Sequence, residues 1–432
     1  MYPNLFYLFK DVFGVELAAL KVVNSFGFFV ALSFLAAAFV FTKELRRKQA
    51  AKLLTYTETT VVTGKPASVL DLAANFFLGF LFGYKLVGVF VASMSTPNFD
   101  PQAFIFSSNG SLPFGLILGG VMAFLKWREK DKLKLDKPTE RTIRIWPSDR
   151  VGDITIIAAV AGFAGAKLFD NLENWDRFIQ DPIGNLFAAS GLTFYGGLIC
   201  ATIAIAYFLK KNSIPFIHVA DAIAPGLMLA YGTGRIGCQV SGDGDWGIYN
   251  SAYKVAADGK VVLANNTDFA NTIHTNASYF AQQHNNLSQI PHASFKGFWG
   301  LPDWLFAYTY PHNVNKEGLA LPNCGWDDYC TQLPIPVFPT PLYEIIMGVS
   351  LFSFLWFIRK RFKYAGQMFA IYLVVNGLER FAIESIRVNT TYNIGNFHPT
   401  QAQLISSSLV IIGVLLYLLA PKLKINKQLV NR

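Results

Sequence analysis

Nine stretches of about 20 mostly apolar residues dominate this chain, and a segment of that length and character has one natural solvent. A helix rising 1.5 Å per residue crosses a ~30 Å hydrocarbon core in roughly 20 residues. The stretches fall at 22–42, 72–94, 112–127, 153–170, 191–209, 217–236, 342–358, 365–385 and 401–420, the third being the shortest. Hydrophobic residues make up 52% of the 432 and charged residues only 15%, which fits neither a pair of soluble domains nor a disordered chain. The expected fold is an all-α polytopic membrane protein.

The formal charge of +9 invites a nucleic-acid reading, but its distribution answers differently. If the segment after the first span lies inside, 25 of the 37 Lys and Arg fall on inside connections and 8 on outside ones. That bias is the positive-inside rule, so the basic balance reports topology and needs no nucleic acid. It places the N-terminus outside the cytoplasm and the C-terminus inside. The chain then divides into an interfacial segment at 1–21, membrane parts at 22–237 and 342–420, an extracytoplasmic head insertion at 238–341 and a basic cytoplasmic tail at 421–432. Residues 1–21 are aromatic-rich and amphipathic, without the basic start and small-residue cleavage site of a signal peptide. No internal repeat is visible, which weighs against transporter folds built from duplicated halves.

The head insertion holds Cys324 and Cys330 in an Asn-Cys-Gly-Trp-Asp-Asp-Tyr-Cys stretch. Outside the cytoplasm such a pair reads as a disulfide, with two free thiols as the alternative. Its four histidines, His274, His284, His292 and His312, are too widely spaced for a metal site, and no metal is expected.

Charge inside an apolar span is costly, so each such residue is a functional candidate. In the eighth span Arg380, Glu384 and Arg387 are spaced i, i+4, i+7 and share one helical face. Two guanidiniums around one carboxylate form either an internal ion-pair ladder or a site with spare positive charge for an anion, and Arg is well suited to phosphate. The sixth span ends in Tyr231-Gly-Thr-Gly-Arg235-Ile-Gly-Cys238-Gln-Val-Ser241-Gly-Asp243-Gly-Asp245-Trp-Gly247, read as a glycine-rich turn in which Gly234 and Gly237 let backbone approach closely around Arg235. Asp221 in the same span reads as a partner for nearby polar groups. Tyr195 opens the fifth span, as belt anchor or site residue, with Gly196 and Gly197 behind it admitting a helix or a lipid chain. Glu344, near the start of the seventh span, reads equally as a favourable charge at a helix N-terminus.

Taken in order, these segments resemble the prolipoprotein diacylglyceryl transferase family. The resemblance runs from about Asn24 to Ser406, the residues after Gly247 standing as an insertion. It is carried by Ser25-Phe-Gly-Phe-Phe, Gly165-Ala-Lys-Leu-Phe, Thr193-Phe-Tyr-Gly-Gly-Leu, Ile214-Pro-Phe with Ala220-Asp-Ala-Ile-Ala-Pro225, and Gly-Arg-Ile-Gly at 234–237. Leu342-Tyr-Glu, Arg380-Phe-Ala-Ile-Glu384 with Arg387, and Thr400 with Gln403 and Ser406 complete it. The chain departs from the family pattern where Cys238 and Ser241 stand for Asn and Asp243 for Glu, with Asp245 competing for the acid's place. Tyr195 and Phe338 stand for His, and Phe26 for an aromatic hydroxyl.

The resemblance implies transfer of diacylglycerol from phosphatidylglycerol to the thiol of a prolipoprotein's lipobox cysteine, in a bacterial inner membrane and without a cofactor. It implies that Arg235 and Arg380 stabilise the leaving phosphate, with Tyr195 and Glu384 orienting the reaction. Asp243, Arg387, Gly196, Gly197, Gly234 and Gly237 would hold substrate, and Glu384, Asp243, Tyr195 and His398 are candidate proton acceptors. A monomer among membrane lipids is the expectation. Competing readings are an anion transporter or channel, which requires polar positions along a whole pathway, and an inactive lipoprotein-binding relative.

Overall fold

The computed structural model describes all residues except 96–98, 100, 188–190, 192, 285, 323, 388–391, 393–398 and 424–432. His398 and most of the basic tail therefore lie outside the described residues. The chain forms two compact units: one of Met1–Val12, Val23–Glu44 and Ile217–Arg432, the other of Phe13–Val22 and Leu45–Phe216.

Each of the nine apolar stretches contains a helix. Among the described residues seven helices are long and apolar enough to cross a membrane: Ser25–Ala50, Val69–Met94, Pro147–Glu173, Phe194–Lys211, Phe216–Ser241, Thr340–Ile358 and Gln401–Lys422. The helices Leu112–Lys132 and Gln367–Glu384 carry more charge, the first toward its basic end and the second through Glu379, Arg380 and Glu384. The protein is thus a mostly helical, multi-pass membrane protein. Rows of Phe, Leu, Ile and Val stand exposed along these helices, a surface that hydrocarbon covers.

In the first unit the Phe216–Ser241 helix is the axis. It is 56% buried over its most apolar stretch, against 17–22% for the other six. Small residues let its neighbours close in. Gly237 lies where a Cβ would meet the Phe26 carbonyl oxygen at 3.0 Å, and Gly232 faces Gly348 of the Thr340–Ile358 helix backbone to backbone. At its other end Asp221 accepts hydrogen bonds from the Gly366 and Phe369 N–H groups, each at 2.9 Å, and so partners nearby polar groups as the sequence suggests.

The helix does not stop at residue 236. The glycines read as a turn are helical through Ser241, the close packing of Gly232 on Gly348 and of Gly237 on Phe26 offsetting the entropy that a helical glycine costs. The chain turns only at Gly242 and Gly244, both in left-handed conformation.

Residues 247–338 build their own apolar core from Tyr249, Ile273, Phe280, Ile290, Tyr310, Leu333, Ile335 and Val337. Among the described residues three two-stranded ribbons frame it: Tyr249–Asn250 with His292–Ala293 in parallel, and Tyr253–Val255 with Val261–Leu263 and Leu319–Ala320 with Thr331–Gln332 antiparallel. Cys324 and Cys330 form a disulfide. Beside it Trp326 stacks on Tyr7 of the Leu5–Phe13 helix at 4.4 Å, and the Tyr7 hydroxyl donates to Asp327 at 2.7 Å. The beginning of the chain is therefore packed on this region, its amino group donating to the Pro311 carbonyl at 2.7 Å.

In the second unit the strands Thr57–Thr63 and Thr139–Ile145 pair antiparallel, joining two basic connections into one ribbon. The helices Val151–Glu173 and Phe194–Lys211 pack through glycine. A Cβ on Gly196 would stand 2.7 Å from the Gly165 carbonyl oxygen, and one on Gly197 would stand 2.9 Å from that of Gly162.

Candidate active site

Glu344 lies at the centre of the site, its side chain fully shielded. One turn along the same helix, Gly348 meets Gly232: a Cβ on Gly348 would stand 2.6 Å from the Gly232 Cα. That approach brings Tyr231 and Arg235, on the facing helix, within reach of the carboxylate. Arg235 Nε lies 3.1 Å from Glu344 Oε2, and the Tyr231 hydroxyl donates to Glu344 Oε1 at 2.8 Å.

The Gln367–Glu384 helix adds two more cations. Arg380 Nη1 is 3.2 Å from Glu344 Oε1, and Arg387 Nη1, just past the helix end, is 3.6 Å from it. Arg380 also lies 3.6 Å from Glu384 Oε2. Three guanidiniums from two chain segments thus converge on one buried carboxylate. Glu379, on the same helix, lies with Oε1 3.0 Å from the Tyr231 hydroxyl oxygen and extends the network inward.

The second anchor is Asp245. Arg235 and Arg387 both pair with it, one on each carboxylate oxygen. The turn carrying it is fixed on either side: the Thr340 hydroxyl donates to the Asp245 carbonyl at 2.7 Å, and the Ile248 N–H donates to the Ile386 carbonyl at 2.9 Å. Gly247 is required there, since a Cβ would meet the Ile386 carbonyl oxygen at 2.6 Å. Burial works to raise the Asp245 carboxyl, but Arg235 and Arg387 outweigh it and hold the group below its ordinary range.

Asp243 behaves differently. It accepts the Asp245 N–H at 3.3 Å, and burial, followed by the charge of Asp245, raises its carboxyl above the ordinary range. The acid that joins the arginines is therefore Asp245, not Asp243. The chain between the helix end and Asp245 turns at Gly242 and Gly244, both in left-handed conformation.

Other expectations are also revised. Spare positive charge does not stand alone: Glu344, Asp245 and Glu384 match the three guanidiniums, as burial of charge demands. Donors nonetheless remain, since Arg387 Nη1 is buried and makes no hydrogen bond among the described residues. Glu344 is not a capping charge, its carboxylate being given to the arginines. Gly196 and Gly197 pack against the Val151–Glu173 helix and Gly237 against Phe26, so the close approach that each of these glycines makes is to protein backbone or side chain. A Cβ on Gly234 would only reach Ser33 Oγ at 3.7 Å. Tyr195 belongs to the second unit, at the start of the Phe194–Lys211 helix.

Cys238 Sγ, Asp243 and Asp245 lie within 4.8 Å of one another, close enough in spacing to hold a cation. Their chemistry argues otherwise, because both Asp245 oxygens face guanidiniums that repel one. The arrangement is suited to an anion: fixed cationic N–H donors, clamped by carboxylates, at the end of an apolar bundle.

A family model described as prolipoprotein diacylglyceryl transferase matches residues 114–419, and so takes in every residue of this cluster. The chain belongs to the prolipoprotein diacylglyceryl transferase family. Among curated relatives, a phosphatidylglycerol–prolipoprotein diacylglyceryl transferase of Dehalococcoides mccartyi is 25% identical over 74% of this chain and 94% of its own length. One of Clostridium perfringens, numbered 2, is 23% identical over 64% of this chain and 81% of its own length. One of Corynebacterium diphtheriae is 26% identical over 56% and 68%. Tyr231 and Glu379 join this cluster without having been singled out in the sequence, and Glu344, read there as a charge at a helix terminus, lies at its centre. For Glu379 the signal was available, because an acid inside an apolar span is as exceptional as an arginine.

Proposed function

We propose that this chain transfers the diacylglyceryl group of phosphatidylglycerol to the thiol of a prolipoprotein's lipobox cysteine, releasing glycerol phosphate. Family membership supports the reaction class, and the observation that carries the site is the convergence of Arg235, Arg380 and Arg387 on Glu344.

In this reaction the cysteine sulfur bonds to a glycerol carbon as the bond from that carbon to the phosphate oxygen breaks. The electron pair leaves with glycerol phosphate, and the thiol proton goes to a base. Negative charge grows on the departing oxygen, where guanidinium donors held in place by Glu344 and Asp245 stabilise it without reorganising. Each such donor contributes about 10²–10³ in rate. For the proton, Glu384 beside Arg380 and Asp243 at the turn are the acceptors.

Both substrates are amphipathic, so the site belongs at the membrane surface. The charge bias puts the Thr340 end of the bundle outside the cytoplasm, with the region after Gly247 as an extracytoplasmic head, the N-terminus outside and the tail inside. We assign the protein to the bacterial inner membrane as a monomer. The test is thioether formation by the purified chain from labelled phosphatidylglycerol and a lipobox peptide. Label on the peptide cysteine, lost in Arg235→Ala and Arg380→Ala, is the expected result; no label overturns the activity, and label indifferent to both variants overturns the site.

A further inference from the structure

The region after Gly247 carries a feature that thiol transfer does not use. Phe295, Phe298, Trp299, Leu301 and Trp304 are all exposed within ten residues, Trp299 at 91%. We propose that this loop, 295–304, is a membrane anchor whose occupant is the headgroup–hydrocarbon boundary of the leaflet at the Thr340 end of the Thr340–Ile358 helix. The inference goes beyond the transferase reading and does not depend on it.

The rings are held outward by a built frame. Buried Asn250 donates to the Phe295 and Phe306 carbonyls at 2.9 and 3.0 Å and accepts the Phe295 N–H at 3.1 Å. The Tyr253 hydroxyl accepts the Gly297 N–H at 2.8 Å and donates to Asp303 at 2.9 Å. Phe298 rests on Phe306, with centroids 5.5 Å apart, and Phe306 is part of a buried cluster with Ala252, Tyr253 and Ala307. Trp299 and Gly300, both left-handed, form the tip. Trp rarely accepts that conformation, so the surrounding frame imposes it.

Position identifies the occupant. The end of the loop is tied to a membrane helix, since the Tyr343 hydroxyl donates to the Leu305 carbonyl at 2.6 Å. The helical period sets Tyr343 on the same face as Ile346, Phe354 and Phe357. Those three are exposed, so this face is turned to hydrocarbon, and the aromatic loop continues it outward. Trp and Phe at the end of a lipid-facing stripe are the side chains that settle at a bilayer interface. Lys296 and Asp303 cancel in charge, so the attraction rests on aromatic partition rather than on anionic headgroups.

The full chain is reconstituted in phosphatidylcholine nanodiscs, and Trp299 emission is isolated as the difference between the wild type and Trp299→Phe. Trp304 is isolated in the same way with Trp304→Phe, and both substitutions keep an aromatic ring at a surface position. Both emissions are expected to be blue-shifted, at least halved by lipids brominated near the headgroup, less affected by lipids brominated at the chain ends, and insensitive to salt. Emission typical of water and unquenched at either position overturns the anchor. So does emission that shifts only when an apolar signal-type peptide is added, which would make the loop a peptide-docking surface instead.

Discussion

Arg235 and Glu344 stand far apart in sequence yet meet at 3.1 Å, the carboxylate fully shielded and the guanidinium shared with Asp245. Two glycines, Gly232 and Gly348, make that meeting possible by bringing their helices into backbone contact one turn away. The cationic site is thus a product of helix packing as much as of charge.

Removing Glu344 should leave Arg235, Arg380 and Arg387 without their common counter-ion. Glu344→Ala is expected to destabilise the protein by about 3–5 kcal/mol, the range for breaking a buried ion pair from one side. Glu344→Gln, which keeps shape and one acceptor oxygen, should cost less. Thermal unfolding in detergent separates them, and equal stability of both variants with the wild type would show that the carboxylate is not the hub.

At Arg235 the fork matters as well as the charge. Arg235→Ala should lower transfer by about 10²–10³. Arg235→Lys retains one cation but cannot bridge Glu344 and Asp245 together, so its rate should fall between alanine and wild type. Rates with labelled phosphatidylglycerol decide it; a lysine variant as fast as the wild type would mean that only charge counts.

The two acids of the turn should respond to pH with opposite signs. Asp245 is held below 3.8, so its contribution to stability is present above that value and is lost as pH falls through its lower folded value. Asp243 is raised above 3.8, so its relative contribution is present below 3.8 and is lost as pH rises through the raised value. Asp245→Asn should therefore destabilise at neutral pH and flatten the acid limb. Asp243→Asn should be neutral or stabilising at neutral pH. Unfolding midpoints of both variants between pH 3 and pH 7 are the measurement, and losses of the same sign at neutral pH would contradict the assignment.

Gly348→Val should push the two helices apart, because even a Cβ there stands 2.6 Å from the Gly232 Cα. A cost of about 1–3 kcal/mol is expected from overpacking, together with loss of transfer through the displaced Arg235 and Glu344. Gly234→Ala, in more open surroundings, serves as the comparison and should keep most of both.

Much of this protein is legible in its sequence because lipid imposes a simple rule. Apolar length alone marks the helices, and each of the nine stretches contains one. Charge in an apolar span marks Arg235 and Arg380 as exceptional, since only a partner inside the bundle offsets its cost, and helical spacing adds Arg387 on the same face just beyond the span. Which partner cannot be read along the chain. Glu344 looks like a residue placed for its helix terminus, Asp243 looks like the acid of the motif, and Gly196 and Gly197 look like room for substrate. The tertiary structure decides each one by proximity. Gly232 against Gly348 turns Glu344 into the counter-ion of three arginines, Asp245 rather than Asp243 meets the arginines past the turn at Gly242 and Gly244, and the Val151–Glu173 helix packs against the diglycine. Solvent preference is a property of each segment and survives in the sequence; ion pairing depends on distances of a few ångströms between segments, which only packing sets.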